Sequence, residues 1–304
     1  MKKYIVIILA GIFTVQAKAQ QLQTSSLYDL QGVYHNPSMA GTQAMNMVGV
    51  SYRTQWSGIS GSPKTATVFG SFGLPNHNIG IGGYVYRDQT GPTSRTGVAL
   101  QFAKHIPLSN GGNFSLGLEA RGLQFSLDRA KLVAELGSDP ALGTSDNKFK
   151  FDAGFGVSYN GKRLQLGAAA SQLVQSKLGF YTGNLNYSES ARLYRHYYFH
   201  GAYKWNVDDA TTLTPNVMFI YLPNAPLEVQ GGIRVEHREI FWWGVGYRAK
   251  QSFILSAGLN INKKLTIGYA FDIYSKPMNV FDGGNNAHEM LLRFNLSKQG
   301  KTVD

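Results

Sequence analysis

Apolar and polar side chains alternate along most of this chain with a period of two. In residues 265–273, Leu, Ile, Tyr, Phe and Ile occupy the odd positions, and Thr, Gly, Ala and Asp occupy the even ones. Residues 151–160 and 289–296 alternate in the same way. Successive side chains of a β-strand point to opposite faces, so each segment has one apolar face and one polar or small face. The 3.6-residue periodicity of amphipathic helices is absent.

The alternation and the spacing of turn residues predict roughly fourteen strands. Every second connection is short, whereas the others include the long stretches 124–148, 172–192 and 275–286. Short turns at one end and long loops at the other, with an even strand count, are typical of outer-membrane barrels. The predicted strands lie near residues 48–56, 64–73, 78–87, 94–104, 112–123, 149–159, 163–171, 193–205, 211–221, 227–237, 239–248, 251–261, 264–274 and 287–297.

Two folds are compatible with this pattern, a soluble sandwich and a barrel in lipid. The sandwich turns its apolar faces inward, whereas the barrel turns them towards lipid. Many segments approach the ~9–11 residues that cross a bilayer at a tilt. We therefore predict an all-β fold, a transmembrane antiparallel up-and-down β-barrel of roughly 14 strands, over residues 48–297. Aromatic residues near segment ends suit interfacial girdles, with ordinary sheet packing as their alternative: Trp56, Tyr84, Tyr86, Tyr197, Tyr198, Tyr203, Trp205, Trp242, Trp243, Tyr247 and Tyr274.

The segments outside the predicted barrel have different characters. Residues 1–19 contain two early lysines, an apolar run and Ala17-Lys18-Ala19, which is typical of a secretory signal peptide. Residues 20–47 are polar and do not alternate, so we expect either a periplasmic arm or a plug inside the lumen. Residues 298–304 form a short tail. Export places the barrel in the outer membrane of a Gram-negative bacterium.

Composition excludes several kinds of site. The chain has no cysteine, which excludes disulfides, a lipoprotein anchor, zinc–thiolate sites and thiol catalysis. The 35 glycines, 17 tyrosines and 17 phenylalanines fit a sheet protein. A net charge of +11 suggests attraction to acidic lipopolysaccharide or an acidic partner, since an exported chain rarely meets nucleic acid.

The charged residues predicted to face the lumen have two interpretations. In the first, they pair with one another in a salt-bridged interior, because an isolated buried charge is costly. In the second, they form a selectivity lining for a solute. The strand glycines are expected to permit close strand approach or curvature. The predicted lumen charges are Glu119, Arg121, Asp152, Glu228, Arg234, Glu236, Arg248, Asp272, Glu289 and Arg293.

No pattern predicts catalysis, a metal site or a cofactor. His196 and His200 share strand parity, but four residues along a strand separate them by about 13 Å, too far to ligate one metal. Neither G-x-S-x-G nor H-E-x-x-H occurs. We therefore expect no enzymatic activity, with a barrel hydrolase as the third hypothesis after a secretion barrel and a solute channel.

An ordered series of short motifs resembles one protein family. Asn36-Pro37-Ser38-Met39-Ala40-Gly41 resembles the N-P-x-x-A-G signature of the PorP/SprF proteins of Bacteroidetes. The stretches 52–56 and 61–65 resemble that family's arginine-glutamine-tryptophan and glycine-x-proline segments. Further matches follow in the family's order and cover most of the chain after the signal: Gly80 to Gly83, Asp88, Gly91-Pro92, Asp139-Pro140, Asp152 with residues 154–157, residues 268–272, and His288-Glu289.

The resemblance implies a non-enzymatic outer-membrane component of the type IX secretion system. Members support export or cell-surface anchoring of cargo that carries a C-terminal sorting domain, and some support gliding motility through surface adhesins. The implied partners are type IX subunits in the periplasm and outer membrane, the secreted cargo, and outer-membrane lipid and lipopolysaccharide. No cofactor is implied. The alternative function is a passive porin or solute channel.

Nine residues are candidates for partner binding. Some lie in the amino-terminal signature, some at the outer end of the first strand, and some beside the last long loop. For each, the structural alternative is turn formation, girdle packing or an ion pair in the lumen. The candidates are Asn36, Pro37, Gly41, Arg53, Gln55, Trp56, Asp272, His288 and Glu289.

Overall fold

The computed structural model of the protein describes most of the predicted barrel. The described residues are 24–42, 46–128, 130–131, 147–176, 193–223, 225–276, 278–281 and 283–296. The predicted signal peptide 1–19 and the tail 298–304 lie outside these ranges.

The described residues form fifteen strands and five short helical turns. Single turns of helix occur at Tyr28–Leu30, Gly32–His35, Pro37–Met39, Pro75–His77 and Met278–Phe281. The strands are β1 (Met47–Gln55), β2 (Lys64–Leu74), β3 (Ile79–Thr90), β4 (Thr93–Pro107), β5 (Asn113–Leu127), β6 (Asn147–Asn160), β7 (Leu164–Ser171), β8 (His196–Tyr203), β9 (Trp205–Asn206), β10 (Thr211–Tyr221), β11 (Glu228–His237), β12 (Phe241–Arg248), β13 (Ser252–Ile261), β14 (Leu265–Tyr274) and β15 (Ala287–Asn295).

The strands form one closed antiparallel barrel. β8 and β9 both pair with β10 in one register, with Ala202 opposite Asn216 and Asn206 opposite Thr212. They are therefore two parts of one strand, interrupted at Lys204. β15 pairs with β1 and closes the sheet. The result is a barrel of 14 strands, and the predicted fold class is confirmed.

The two faces of the wall have opposite chemistry. Large apolar side chains cover the outside; Leu100 is 70% exposed and Phe151 is 72% exposed. Polar and small side chains alternate with them and point inward, as in the burial pattern of β14. A continuous apolar outer surface is expected where the solvent is lipid. Within the described ranges, no helix is long and apolar enough to span a membrane.

The two ends of the barrel differ in the length of their connections. At one end, called the short-turn end, the connections between strands are residues 75–78, 108–112, 161–163, 207–210, 238–240 and 262–264. At the other, called the long-loop end, the connections include residues 128–146, 172–195 and 275–286. This asymmetry confirms the prediction from turn spacing, and the short-turn end of such barrels faces the periplasm.

Residues 24–42 lie inside the barrel, and we call them the plug. Val33, Ser38 and Ala40 are completely buried. The plug begins beside Asp272, near the long-loop end of β14. It ends at Gly41, whose amide donates to Ser71 Oγ on β2. The plug therefore runs along the lumen towards the short-turn end, where the chain enters β1.

The assignment of all the aromatic residues to girdles is wrong for five of them. Tyr84, Tyr86, Tyr198, Trp242 and Tyr274 are at most 7% exposed and point into the lumen. In their strands they occupy the same alternate positions as the polar residues that point inward. The plug supplies apolar partners for them in the lumen. The ring of Tyr34 in the plug, for example, lies 4.9 Å from the ring of Tyr84. Other members of the set do face outward and are exposed: Tyr203, Trp205, Trp243 and Tyr247.

Candidate functional site: the plug and the charged lumen

Four charged side chains form a buried network at the long-loop end of the lumen. Arg53 Nη2 lies 2.7 Å from Asp272 Oδ2, and Arg53 Nη1 lies 3.2 Å from Glu289 Oε2. Arg248 Nη1 lies 2.9 Å from the same Asp272 oxygen. Each side chain is at most 4% exposed. Arg248 Nε also lies 3.6 Å from Oε1 of the partly exposed Glu228, so carboxylates of the wall neutralise both arginines without any contribution from the plug.

The first residues of the plug complete this network with hydrogen bonds. Ser25 Oγ donates to Glu289 Oε1 at 2.6 Å, and the amide of Ser26 donates to Glu289 Oε2 at 2.7 Å. Ser26 Oγ donates to Asp272 Oδ1 at 2.6 Å. Hydrogen bonds to charged groups contribute more to stability than neutral ones. The buried carboxylates therefore hold the beginning of the plug in one position.

A second network holds the middle of the plug from the opposite wall. Gln101 Nε2 donates to the carbonyl of Val33 at 2.7 Å and to Glu119 Oε2 at 2.7 Å. Tyr84 donates its hydroxyl to the same Glu119 oxygen at 3.1 Å. Arg121 pairs with the other oxygen of Glu119. The salt-bridged interior, the first interpretation of the lumen charges, describes both networks.

The amino-terminal signature is seated on the wall through Asn36. Asn36 Nδ2 donates to the carbonyl of Val157 at 3.1 Å and lies 3.0 Å from His200 Nε2. Its Oδ1 accepts from the amide and the hydroxyl of Ser38, so that Asn36 caps the helical turn Pro37–Met39. Because Asn36 is completely buried and uses both ends of its amide, a different side chain would leave polar atoms unpaired.

Strand glycines provide the surface on which this part of the plug rests. A β-carbon at Gly80 would lie 1.8 Å from the carbonyl oxygen of Ala40, and one at Gly117 would lie 2.2 Å from the amide nitrogen of Ser38. Gly41 itself has a φ of +66°, which other residues rarely adopt. Contact with the plug, rather than curvature alone, explains these glycines. Those that face the plug in this way are Gly80, Gly82, Gly117, Gly156 and Gly167.

The histidine of the plug has a strongly lowered pKa. Burial lowers the pKa of His35 to about 3. The imidazole packs between aromatic rings, with the Tyr34 ring centroid 5.1 Å away and that of Tyr198 5.7 Å away. The ring is therefore neutral at physiological pH, and protonation would place an uncompensated charge in the lumen.

A cavity of about 1220 Å³ lies between the plug and the wall at the short-turn end. We call it the vestibule. The four consecutive turns after β6, β9, β11 and β13 form its rim, and Arg234, Trp242 and Arg293 line its inner wall. Arg234 Nη1 lies 2.5 Å from Asp29 Oδ2 of the plug. Among the described residues, Arg293 donates to the Leu30 carbonyl at 3.4 Å and to Thr266 Oγ1 at 3.5 Å.

The structure brings together some of the nine candidate residues and separates others. Arg53, Asp272 and Glu289 meet in the network at the long-loop end. His288 does not join its neighbour Glu289: it is outward-facing, and its Nδ1 lies 2.7 Å from the Tyr269 hydroxyl. Asn36, Pro37 and Gly41 lie buried in the plug, whereas Gln55 and Trp56 are half-buried at the outer end of β1.

Several residues of the site were not singled out from the sequence. Ser25, Ser26 and Gln31 bind the buried carboxylates, but they lie in a segment without periodicity, so no pattern identified them. Arg248 was predicted to face the lumen from its strand parity, but nothing indicated that it shares Asp272 with Arg53. Among the described residues, no three histidines or carboxylates cluster as a metal site.

Comparisons with known proteins agree with the architecture. The chain matches the family described as type IX secretion system membrane protein PorP/SprF over residues 16–294. It is similar in fold to the CymD monoaromatic hydrocarbon channel, with 10% identity, a TM-score of 0.50, and coverage of 89% of this chain and 94% of that chain. No curated protein matches.

Two further solved structures are similar at lower scores. A Pseudomonas aeruginosa FadL homologue has 11% identity, a TM-score of 0.46, and coverage of 86% of this chain and 93% of that chain. The NanC porin has 9% identity, a TM-score of 0.44, and coverage of 83% and 100%. At such identities the likeness concerns the fold alone. The family match, by contrast, spans nearly the whole barrel and includes the plug, and the chain belongs to the PorP/SprF family of type IX secretion system membrane proteins.

Proposed function

We propose that this protein is a non-enzymatic outer-membrane barrel that supports export or cell-surface anchoring of type IX cargo. The cargo is a protein with a C-terminal sorting domain, and gliding adhesins are one such class. The signal peptide over residues 1–19 directs the chain out of the cytoplasm. The family match and the closed barrel with an apolar outer face support this placement.

The observation that carries the proposal is the plug. Buried carboxylates, a glycine surface and aromatic rings all hold residues 24–42 within the lumen. A barrel whose interior is occupied by its own chain is suited to binding rather than to passing solutes. The cargo then binds at the long-loop end, where Gln55 and Trp56 lie, and periplasmic subunits bind at the short-turn end.

A comparison of secreted and surface proteins tests this function. The gene is deleted, restored on a plasmid, and the two strains are compared by mass spectrometry. We expect loss of proteins that share a C-terminal sorting domain, with recovery on complementation. Loss of one adhesin identifies a dedicated anchor, and wholesale loss identifies a core component. An unchanged set of secreted and surface proteins would contradict the proposal.

A solute channel is the second candidate, and the vestibule is the observation that favours it. A cavity of about 1220 Å³ inside the barrel provides space for a small solute. The channel requires a continuous path past the plug, so conductance of the purified protein distinguishes the two functions.

A further inference from the structure

In the described part of the chain, the vestibule contains an arginine without a carboxylate partner. Arg53, Arg121, Arg234 and Arg248 each have a carboxylate oxygen within 4 Å. Arg293, on β15, has none among the residues that the structure describes. A partly buried guanidinium without a counter-ion is costly, which indicates an anionic partner that enters from outside the chain.

The rim of the vestibule adds further cations. Lys162 and Arg163 lie in the turn after β6, Lys204 lies between β8 and β9, and Arg238 lies in the turn after β11. All four side chains are exposed, and no carboxylate of the described chain lies within 4 Å of them. A concave site lined by one sign of charge concentrates ligands of the opposite sign.

Two of the five carboxylates that line the vestibule are paired with a cation. Asp29 pairs with Arg234, and Glu239 pairs with Lys263 at 2.5 Å. Asp208 accepts hydrogen bonds from two amides of its own turn, at 2.7 Å each. Glu236 accepts from Asn260 Nδ2 at 3.2 Å. Asp208, Asp209 and Glu236 therefore carry the three unpaired negative charges of the described lining, against five unpaired cations: Lys162, Arg163, Lys204, Arg238 and Arg293.

The size and lining of the vestibule indicate the kind of anion. At about 1220 Å³ it exceeds the roughly 300–1,000 Å³ of sites for small molecules. Hydroxyl and amide side chains such as Thr212, Asn206 and Gln165 line it together with the cations. Such side chains donate to and accept from peptide groups, whereas a simple phosphate would fill a small part of the space.

We propose that the vestibule binds an acidic peptide segment of a periplasmic protein, with Arg293 as the inner anchor and Lys162, Arg163 and Lys204 at the entrance. The proposal rests on the proposed function, in which the short-turn end faces the periplasm. It names the chemistry of one partner, a chain segment that carries several carboxylates. The bound segment would extend from the rim towards Arg293.

Binding of a labelled acidic peptide to the purified full-length protein tests the proposal. Fluorescein-labelled hexaglutamate is titrated with the protein in detergent, and fluorescence anisotropy reports binding. We expect saturable binding that weakens as sodium chloride rises, and at least tenfold weaker binding of labelled hexaglutamine. Equal binding of the two peptides would overturn the proposal, as would full competition by inorganic phosphate at the concentration of the peptide.

Two double variants locate the binding site. Lys162→Gln with Arg163→Gln removes two charges from the rim, and we expect at least tenfold weaker binding of hexaglutamate. Lys131→Gln with Lys276→Gln removes two exposed charges from the long-loop end and serves as the control, with less than a twofold change. If both pairs of substitutions weakened hexaglutamate binding equally, the binding would depend only on the net charge of the protein. That result would overturn the vestibule as the binding site.

Arg293→Gln tests the inner anchor. A variant that keeps the unfolding temperature of the parent is expected to lose at least tenfold in hexaglutamate binding, and retained binding would overturn the role of Arg293. Lys162→Gln with Arg163→Gln covers the case of an Arg293 variant that fails to fold. These measurements use purified protein and a synthetic peptide. Their failure would therefore leave the secretion experiment to decide the proposed function separately.

Discussion

At the scale of single residues, Asp272 is the central group of the buried network. It accepts from Arg53, Arg248 and Ser26 and is completely buried. Both arginines depend on its Oδ2 atom. Loss of one partner of a buried ion pair leaves a charge that neither water nor protein compensates.

Asp272→Asn is therefore expected to destabilise the barrel by about 3–5 kcal/mol. The change keeps the shape of the side chain but removes the carboxylate that both arginines share. Chemical unfolding of the protein in detergent, followed by tryptophan fluorescence, measures the loss. Glu239→Gln is the matched control, because its pair with Lys263 is more than half exposed and contributes about 0–1 kcal/mol. Equal stability of the two variants would contradict the role of the network.

His35 gives the plug a dependence on pH. Its pKa in the folded protein is about 3, below the unfolded value of about 6.5. Between these values the unfolded state binds more protons, so the free energy of unfolding decreases as the pH falls. The groups that face the ring include Tyr34, Tyr198 and His200.

His35→Phe is expected to remove this component of the pH dependence. The parent should lose up to about 1.4 kcal/mol for each pH unit below 6.5, and the variant should lose less because phenylalanine does not titrate. Unfolding free energies at pH 7.5 and pH 5 measure the difference. The Val33→Ala variant, altered at a nearby position of the plug without any change in titratable groups, should retain the parent's pH dependence. Identical slopes for His35→Phe and the parent would contradict the assignment.

At the scale of elements, the plug and the strand glycines depend on each other. Gly80 allows the backbone of Ala40 to approach the wall. The sequence pattern did not distinguish this role from curvature, since a glycine in a strand looks the same in both cases.

Gly80→Ala is expected to displace the plug while the barrel stays closed. Because the chain has no cysteine, Val33→Cys provides a single reporter thiol at a completely buried position of the plug. We expect its labelling by a maleimide to be at least tenfold faster in the Gly80→Ala background. Gly70→Ala is the control: its β-carbon would lie 3.2 Å from the end of the Phe72 ring, and the rate should not change. Equal rates in the two backgrounds would contradict the contact.

The strands were predictable because alternation directly reports which face a residue occupies. Their positions agree within a few residues, and the largest differences lie at strand ends towards the long loops; β5, for example, ends at Leu127 rather than near 123. The partners of lumen residues were less predictable. Arg53 and Glu289 are 236 residues apart and meet only because β15 closes onto β1.

The contacts of the plug could not be predicted from the alternation of apolar and polar residues, for a different reason. Residues 24–42 contact the wall through backbone, hydroxyl and amide groups and through apolar side chains that do not alternate with polar ones. The plug also explains why some aromatic side chains point inward. Tyr84 and Trp242 occupy lumen positions because the plug offers apolar surface there. Local sequence therefore predicted the barrel wall, whereas the contents of the lumen depend on contacts between distant segments.

At the scale of the whole molecule, the barrel is occupied by its own chain, which fits the proposed function of binding. Fourteen strands enclose a lumen that the plug fills from the long-loop end towards the short-turn end. The vestibule is then a recess that opens at the short-turn end rather than one section of a pore. Type IX family membership gives this closed barrel a role in secretion.

Single-channel conductance in a planar lipid bilayer tests whether the plug closes the barrel. The full-length protein is compared with a variant that lacks residues 24–42, after both show the heat-modifiable migration of a folded barrel. We expect the full-length protein to show no steady conductance and the deletion variant to form open channels, because removal of the plug leaves a water-filled lumen. Steady conductance of the full-length protein, equal to that of the deletion variant, would contradict the account and favour a solute channel.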